Sequence, residues 1–228
     1  HCEQRFPLTN HMYIAKTSKK KIGVKFIPKD KNFTVEIIKN ISESDGKKYT
    51  QKGGKAICIS CKNTINYKSM MDDISKNKDR EMICIQIQKN KGRDYIVPTE
   101  EDKKIYQNAV NFFNLKKSDF EKENLIPKEK IHQDPRNPLI NYGVLDWSEY
   151  FDERQLLVLA TLLKNISSIC KNIKDEKYRS VIALYLNSIL AKRVNMAGFG
   201  VAWHNTREIP ANILSLRQPR IVFNFAES

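Results

Sequence analysis

The chain has 228 residues, 40% of them hydrophobic and 29% charged, with a net charge of +14. That length suits one large domain or two small ones with a real hydrophobic core. No run of 18 apolar residues occurs, which excludes a simple membrane-spanning helix, and the first twenty residues lack the apolar stretch of a signal peptide. A cytoplasmic protein is expected. The first residue is His1 rather than Met, so the chain is expected to be part of something longer.

The 40 Lys and Arg face 26 Asp and Glu, and the surplus sits mainly in residues 1–100, which carry 21 basic and 11 acidic residues. A polyanion is the natural partner of such a surface, and nucleic acid is the commonest one. A lysine-, isoleucine- and asparagine-rich composition is also what an AT-rich genome yields, and charge by itself does not separate the two.

Taken in chain order, residues 1–100 read as β-rich. Lys21–Phe26, Asn32–Ile38 and Met82–Gln88 carry β-branched and aromatic residues in partial alternation, with Ile83, Ile85 and Ile87 on one face. Asp45-Gly46 and Gly53-Gly54 are turn signals, and the polar stretch Lys68–Arg80 reads as a loop or short helix. Residues 101–150 form a mixed linker region. A short helix runs through Ile105, Tyr106, Ala109, Val110 and Phe113, then a polar stretch carries Pro127, Pro135 and Pro138.

Residues 151–228 read as helical with a short C-terminal strand. Asp152 is placed to cap a first helix, with Gln155 completing a capping box and Phe151 stapling against Leu156. A second helix starts near Asp175, and Gly198 and Gly200 stop it. The two helices are expected to pack as an antiparallel pair through Leu156, Leu159, Leu163, Val181, Tyr185 and Ile189. Ile221–Phe225 is the strand expectation. The fold class is therefore α+β, a β-rich part, which the cysteines below mark as zinc-ribbon-like, followed by a helical part.

Five cysteines with no secretory signal argue against a disulfide framework. Cys58-Ile59-Ser60-Cys61 is a C-x-x-C knuckle, a spacing at which two thiolates share one tetrahedral zinc. A ribbon needs a second knuckle. Cys2 supplies half of one, and its partner would lie before His1. His11 or Cys84 are alternative third ligands, although Cys84, like Cys170, also reads as plain core packing. No Gly-rich cofactor turn, phosphate-binding loop, nucleophile elbow or H-E-x-x-H pattern occurs, so a catalytic residue is not expected in this chain.

Several phrases in order resemble the predicted adenine-specific DNA methylases that carry an amino-terminal domain of unknown function. Cys2, Pro7-Leu8 and Ser18-Lys19-Lys20 match that family's first knuckle, its proline-leucine pair and its Ser-Lys-Lys run. Cys58 and Cys61 match its C-P-x-C-G knuckle, from which Ser60 and Lys62 depart. Gly92-Arg93-Asp94-Tyr95-Ile96-Val97-Pro98-Thr99-Glu100-Glu101 matches its Gly-Arg-x-Tyr-x-x-Pro-Thr-x-Glu segment. Tyr142-Gly143, Phe151–Leu157, Trp203-His204, Arg217-Gln218 and Phe225-Ala226-Glu227 come next in the same order. The resemblance implies an insert lying between a D-P-F-x-G-x-G cofactor motif and a D-P-P-Y motif, neither of which occurs here. It implies zinc held by Cys2, Cys58 and Cys61, DNA as partner, and S-adenosylmethionine bound by the rest of the methyltransferase. It singles out Arg154, Trp203, His204, Arg217 and Gln218 as facing that domain or the DNA. Lys19, Lys20, Lys21, Lys25 and Arg93 are the basic residues expected to meet the backbone. Trp203 also reads as an ordinary core aromatic with His204 its polar neighbour. A free-standing zinc-ribbon module is the other functional reading.

Overall fold

The computed structural model describes residues 2–90, 92–132, 134, 137–211, 213 and 219–226. The chain divides into two compact units. The first holds the residues up to Lys103, together with Asn141–Gly143 and Trp203–Ile209. The second holds Lys104–Ile140, Val144–Ala202 and the described residues of 210–228. Strands lie in the N-terminal part and long helices in the C-terminal part, so the fold is α+β as the sequence indicates.

In the first unit, β1 (Tyr13–Lys16), β2 (Lys21–Lys29) and β3 (Asn32–Lys39) form an antiparallel sheet in that order. The register Ile22↔Lys39 through Lys29↔Asn32 puts Ile22, Val24 and Phe26 on one face with Val35 and Ile37. That face forms a core with Ile14, Ala15 and Tyr95, against which Ile83, Cys84 and Trp203 pack. The Asp45-Gly46 turn signal belongs to a single helical turn, α1 (Glu43–Gly46). Gly46 is required there because a Cβ would lie 2.2 Å from the Tyr13 ring.

A second small sheet joins β4 (Gln51–Lys52), β5 (Lys55–Ile57) and β6 (Thr64–Ile65). Gly53 and Gly54 form the two-residue loop between β4 and β5, with φ of +59° and +74°. Two successive positive φ values make the hairpin turn that matches strand twist, which glycine adopts without strain. The polar stretch after β6 is helical: α2 (Tyr67–Asn77) is capped by Asn66, whose side chain accepts from Ser69 N. Its Met70 and Met71 bury against Ala56, with Phe6, Leu8, Ile65, Ile74 and Tyr142 packed around them.

The strand expected over Met82–Gln88 is confined to β7 (Ile85–Gln88), paired with β8 (Arg93–Ile96). The register explains the shortfall. Ile85 pairs with Ile96, so Ile83 would face Pro98, which has no N–H to donate.

In the second unit, α3 (Glu100–Lys122) outruns the short helix expected, because Phe120 repeats the buried position of Phe113 two turns on. The first turn of α3 belongs to the first unit. The proline-bearing stretch is packed rather than loose. Ile126, Ile131 and the fully buried Leu139 of α4 (Pro138–Asn141) anchor it, and Pro135 lies outside the described residues. A 3-10 turn at Trp147–Tyr150 leads into α5 (Glu153–Asn172), whose Asp152–Gln155 capping box is formed. Buried Asp152 also accepts from Tyr106 Oη at 2.5 Å. Leu156 and Ala160 pack on Phe113, Phe120 and Ile126, with Phe151 beside them.

The helix α6 (Glu176–Val194), capped by Asp175, corrects one expectation. Helix α6 does pack against α5, but not by burying Val181, Tyr185 and Ile189. They are exposed, Tyr185 by 67%, while Ile182, Leu186 and Leu190 are the half-buried set. The helix is apolar nearly all round, so the periodicity could not choose its inward face. The expected strand at Ile221–Phe225 reduces to one bridge, Ala202↔Phe225.

Candidate metal centre and basic surface

The knuckle is built by local backbone geometry. Cys58 N donates to Asn63 O at 3.0 Å, and Lys62 N donates to Cys58 O at 3.2 Å, closing a tight turn after β5. Lys62 sits at φ +63°, the left-handed conformation that a glycine would take without cost.

Cys2 reaches this turn because Thr50 anchors the N-terminal segment. Thr50 is 2% exposed. Its hydroxyl donates to Pro7 O at 2.6 Å and accepts from Thr9 N at 2.8 Å. Thr50 N and Gln51 N both donate to Thr9 O. Phe6 and Leu8 then bury against Ala56 and the α2 methionines. These ties deliver Cys2 Sγ to 3.5 Å from Cys58 Sγ and 3.3 Å from Cys61 Sγ.

The three sulfurs all lie within 4.8 Å of one another, close enough to hold one metal ion. Tetrahedral zinc with Zn–S of about 2.3 Å puts its thiolate sulfurs about 3.8 Å apart, so the spacing fits that geometry. The electrostatics favour a cation. The Gln4 backbone N–H, then the Cys61 and Cys58 thiols, lower the Cys2 thiol to about 7. The Asn63 backbone pulls Cys61 down, but Cys2, burial and Cys58 together push it up. A second thiolate beside the first is therefore disfavoured until a positive ion offsets the charge.

The other proposed ligands are elsewhere. His11 Nε2 lies 3.4 Å from Asn205 Nδ2, and burial lowers its pKa. Cys84 packs under the first sheet, and burial pushes its thiol up to about 11. Cys170 is half-buried on α5. Among the described residues only Cys2, Cys58 and Cys61 form such a cluster. His1 lies outside those residues.

The basic residues divide. Lys19, Lys21 and Lys25 are exposed. Lys21 and Lys25 share the outer face of the first sheet, where Lys25 faces Glu36 across the ladder. Lys20 and Arg93 are engaged inside the first unit. Lys20 Nζ pairs with Glu208 Oε2 at 2.6 Å and lies 5.4 Å above the Tyr95 ring. Arg93 donates to Glu208 O at 2.7 Å and to Arg207 O at 3.2 Å. Glu208, at φ +56°, also accepts from buried Tyr95 Oη at 2.7 Å.

The same network holds Trp203. Its Nε1 donates to Ile14 O at 2.6 Å, and its ring meets Tyr95 edge-on, so it is a core residue. His204 is exposed, its Nδ1 3.3 Å from Thr206 Oγ1. Glu208, missed from the sequence, carried no motif signal. Arg154 belongs to the second unit, where its N–H completes the α5 cap on Asp152. Arg217 and Gln218 lie outside the described residues.

No helix among the described residues is long and apolar enough to cross a membrane. No family model, curated protein or solved structure matches the chain, so the methylase likeness rests on the order of its short motifs alone.

Proposed function

We propose that this chain is a zinc-stapled, DNA-contacting insert of an adenine-specific DNA methyltransferase and carries no catalytic residue of its own. The observation that carries the metal part is the meeting of Cys2 with Cys58 and Cys61 across 56 residues of chain. Zinc suits three thiolates better than harder ions do. Among the named basic residues, Lys19, Lys21 and Lys25 supply the exposed charge for the DNA backbone. S-adenosylmethionine and the D-P-P-Y chemistry belong to the rest of the enzyme, to which Arg154, Arg217 and Gln218 are assigned. The role of Lys20 and Arg93 is to hold residues 203–209 in place.

A free-standing zinc-ribbon module would use the same cysteines and lysines, and the two readings part on what the chain joins. The test is metal content and DNA binding of the purified 228-residue chain. We expect close to one zinc per chain, lost together with ordered residues 2–9 in Cys58→Ser and Cys61→Ser. Binding to duplex DNA should weaken steeply between about 50 and 200 mM salt, as phosphate neutralisation requires. A metal-free protein with unaltered stability in both variants sinks the zinc part. Absence of DNA binding at low salt sinks the rest.

A further inference from the structure

From residue 46 to residue 71 the chain carries six lysines and no carboxylate. Two of the six are neutralised locally, Lys47 by Glu43 and Lys48 by Asp45. Lys62 bends back to its own turn, where Nζ donates to Ile59 O at 2.6 Å. Lys52, Lys55 and Lys68 are exposed, and none has an ion-pair partner among the described residues.

The fold sets two of them, Lys52 and Lys55, at one hairpin tip. They stand directly opposite one another, flanking the Gly53-Gly54 loop. Like charges facing across a ladder destabilise a hairpin, and an anion bridging them removes that penalty. Tyr67 begins α2 next to this tip, and its ring lies along Gly54, where a Cβ would sit 3.4 Å from Cδ2. The ring is propped by the bare glycine, yet Tyr67 remains 49% exposed. Lys68 is the next residue along the chain. Tyr49 is a second exposed ring, with Lys52 Nζ 5.3 Å above its centre.

We propose that this tip is a binding site for an unpaired DNA strand, in which Tyr67 stacks on a base and Lys52, Lys55 and Lys68 hold the flanking phosphates. The inference rests on the nucleic-acid part of the proposed function, and assigns it a site and a strand form. An aromatic face beside a row of cations is the arrangement that grips single strands without reading sequence, because every base offers a π-face. A duplex keeps its bases stacked on one another and would use the lysines alone.

The test is fluorescence anisotropy of the zinc-loaded chain with a labelled oligo-dT and with a duplex of the same length. We expect Tyr67→Ala to weaken oligo-dT binding about tenfold and Tyr67→Trp to preserve it. Duplex affinity should hardly change in either variant. Lys52→Ala with Lys55→Ala should lower the log–log salt slope on oligo-dT by roughly one for each phosphate no longer neutralised. Circular dichroism melts identify any variant that fails to fold, and Tyr49→Ala then serves as the second aromatic probe. Oligo-dT binding by folded Tyr67→Ala and Tyr49→Ala at the strength of the parent chain overturns this site, while leaving the DNA reading intact. Failure of the parent chain to bind either probe at low salt overturns both.

Discussion

At the scale of single residues, the cysteines differ in exposure and in how readily they ionise. Cys2 and Cys61 are accessible, and the Cys2 thiol is lowered to about 7. Cys84 is pushed up to about 11 by burial, which leaves about a thousandth of it as thiolate at pH 8. Iodoacetamide at pH 8 after chelator treatment should therefore modify Cys2 readily and leave Cys84 untouched until denaturant is added. Added zinc should protect Cys2, Cys58 and Cys61 together. Peptide mass mapping reads each site, and labelling of Cys2 that is indifferent to zinc speaks against the shared ion. His11 gives a second residue-scale expectation. Burial lowers its pKa, so the folded state prefers the neutral ring. The unfolded chain then binds more protons below about pH 6.5, and the stability associated with a neutral His11 is lost as pH falls below that value. Urea midpoints at pH 8 and pH 5.5 should differ less in His11→Gln than in the parent chain. An equal difference in the two proteins removes His11 from the acid sensitivity.

At the scale of elements, capping was the most legible feature. The Asp152–Gln155 box and the Asp175 cap both start helices where the side-chain chemistry says they must, because those side chains satisfy N–H groups that the helix itself cannot. Facing was less legible. Leu156 and Tyr185 both fit a helical apolar period, yet one is 6% exposed and the other 67%. Leu156→Ala should cost about 2–5 kcal/mol, since it opens a cavity under Phe113 and Phe120. Tyr185→Ser should change stability by no more than about 0.5 kcal/mol. Chemical denaturation of the two variants checks the difference, and a large loss in Tyr185→Ser would mean that the α6 face is covered in solution. The strand at Met82–Gln88 shows the other limit of local reading: alternation marks which residues face inward, but ladder length depends on the partner, and Pro98 ends it.

At the scale of the whole molecule, composition and pattern by themselves determined the class. A β-rich first hundred residues, a proline-bearing middle and two capped helices give α+β order, and the periods of two and 3.6 that encode it are local. The knuckle at Cys58 and Cys61 was legible too, because its two thiols lie three residues apart, and Cys2 stood as one of three candidates to join it. What the sequence could not give is which distant residues meet. His11 and Cys84 carried equally suitable donor atoms, and only the ties of Thr50 to Pro7 and Thr9 select Cys2. Lys20 and Arg93 read as free cations until Glu208, more than a hundred residues from either, takes both. Tyr67 carried no signal in the sequence, and it is the Gly53-Gly54 turn that comes to rest beside it. Residue type and spacing fix what a side chain can do. Whether it is buried, paired or left facing water is a property of long-range packing, decided when segments far apart in the chain compete for the same partners.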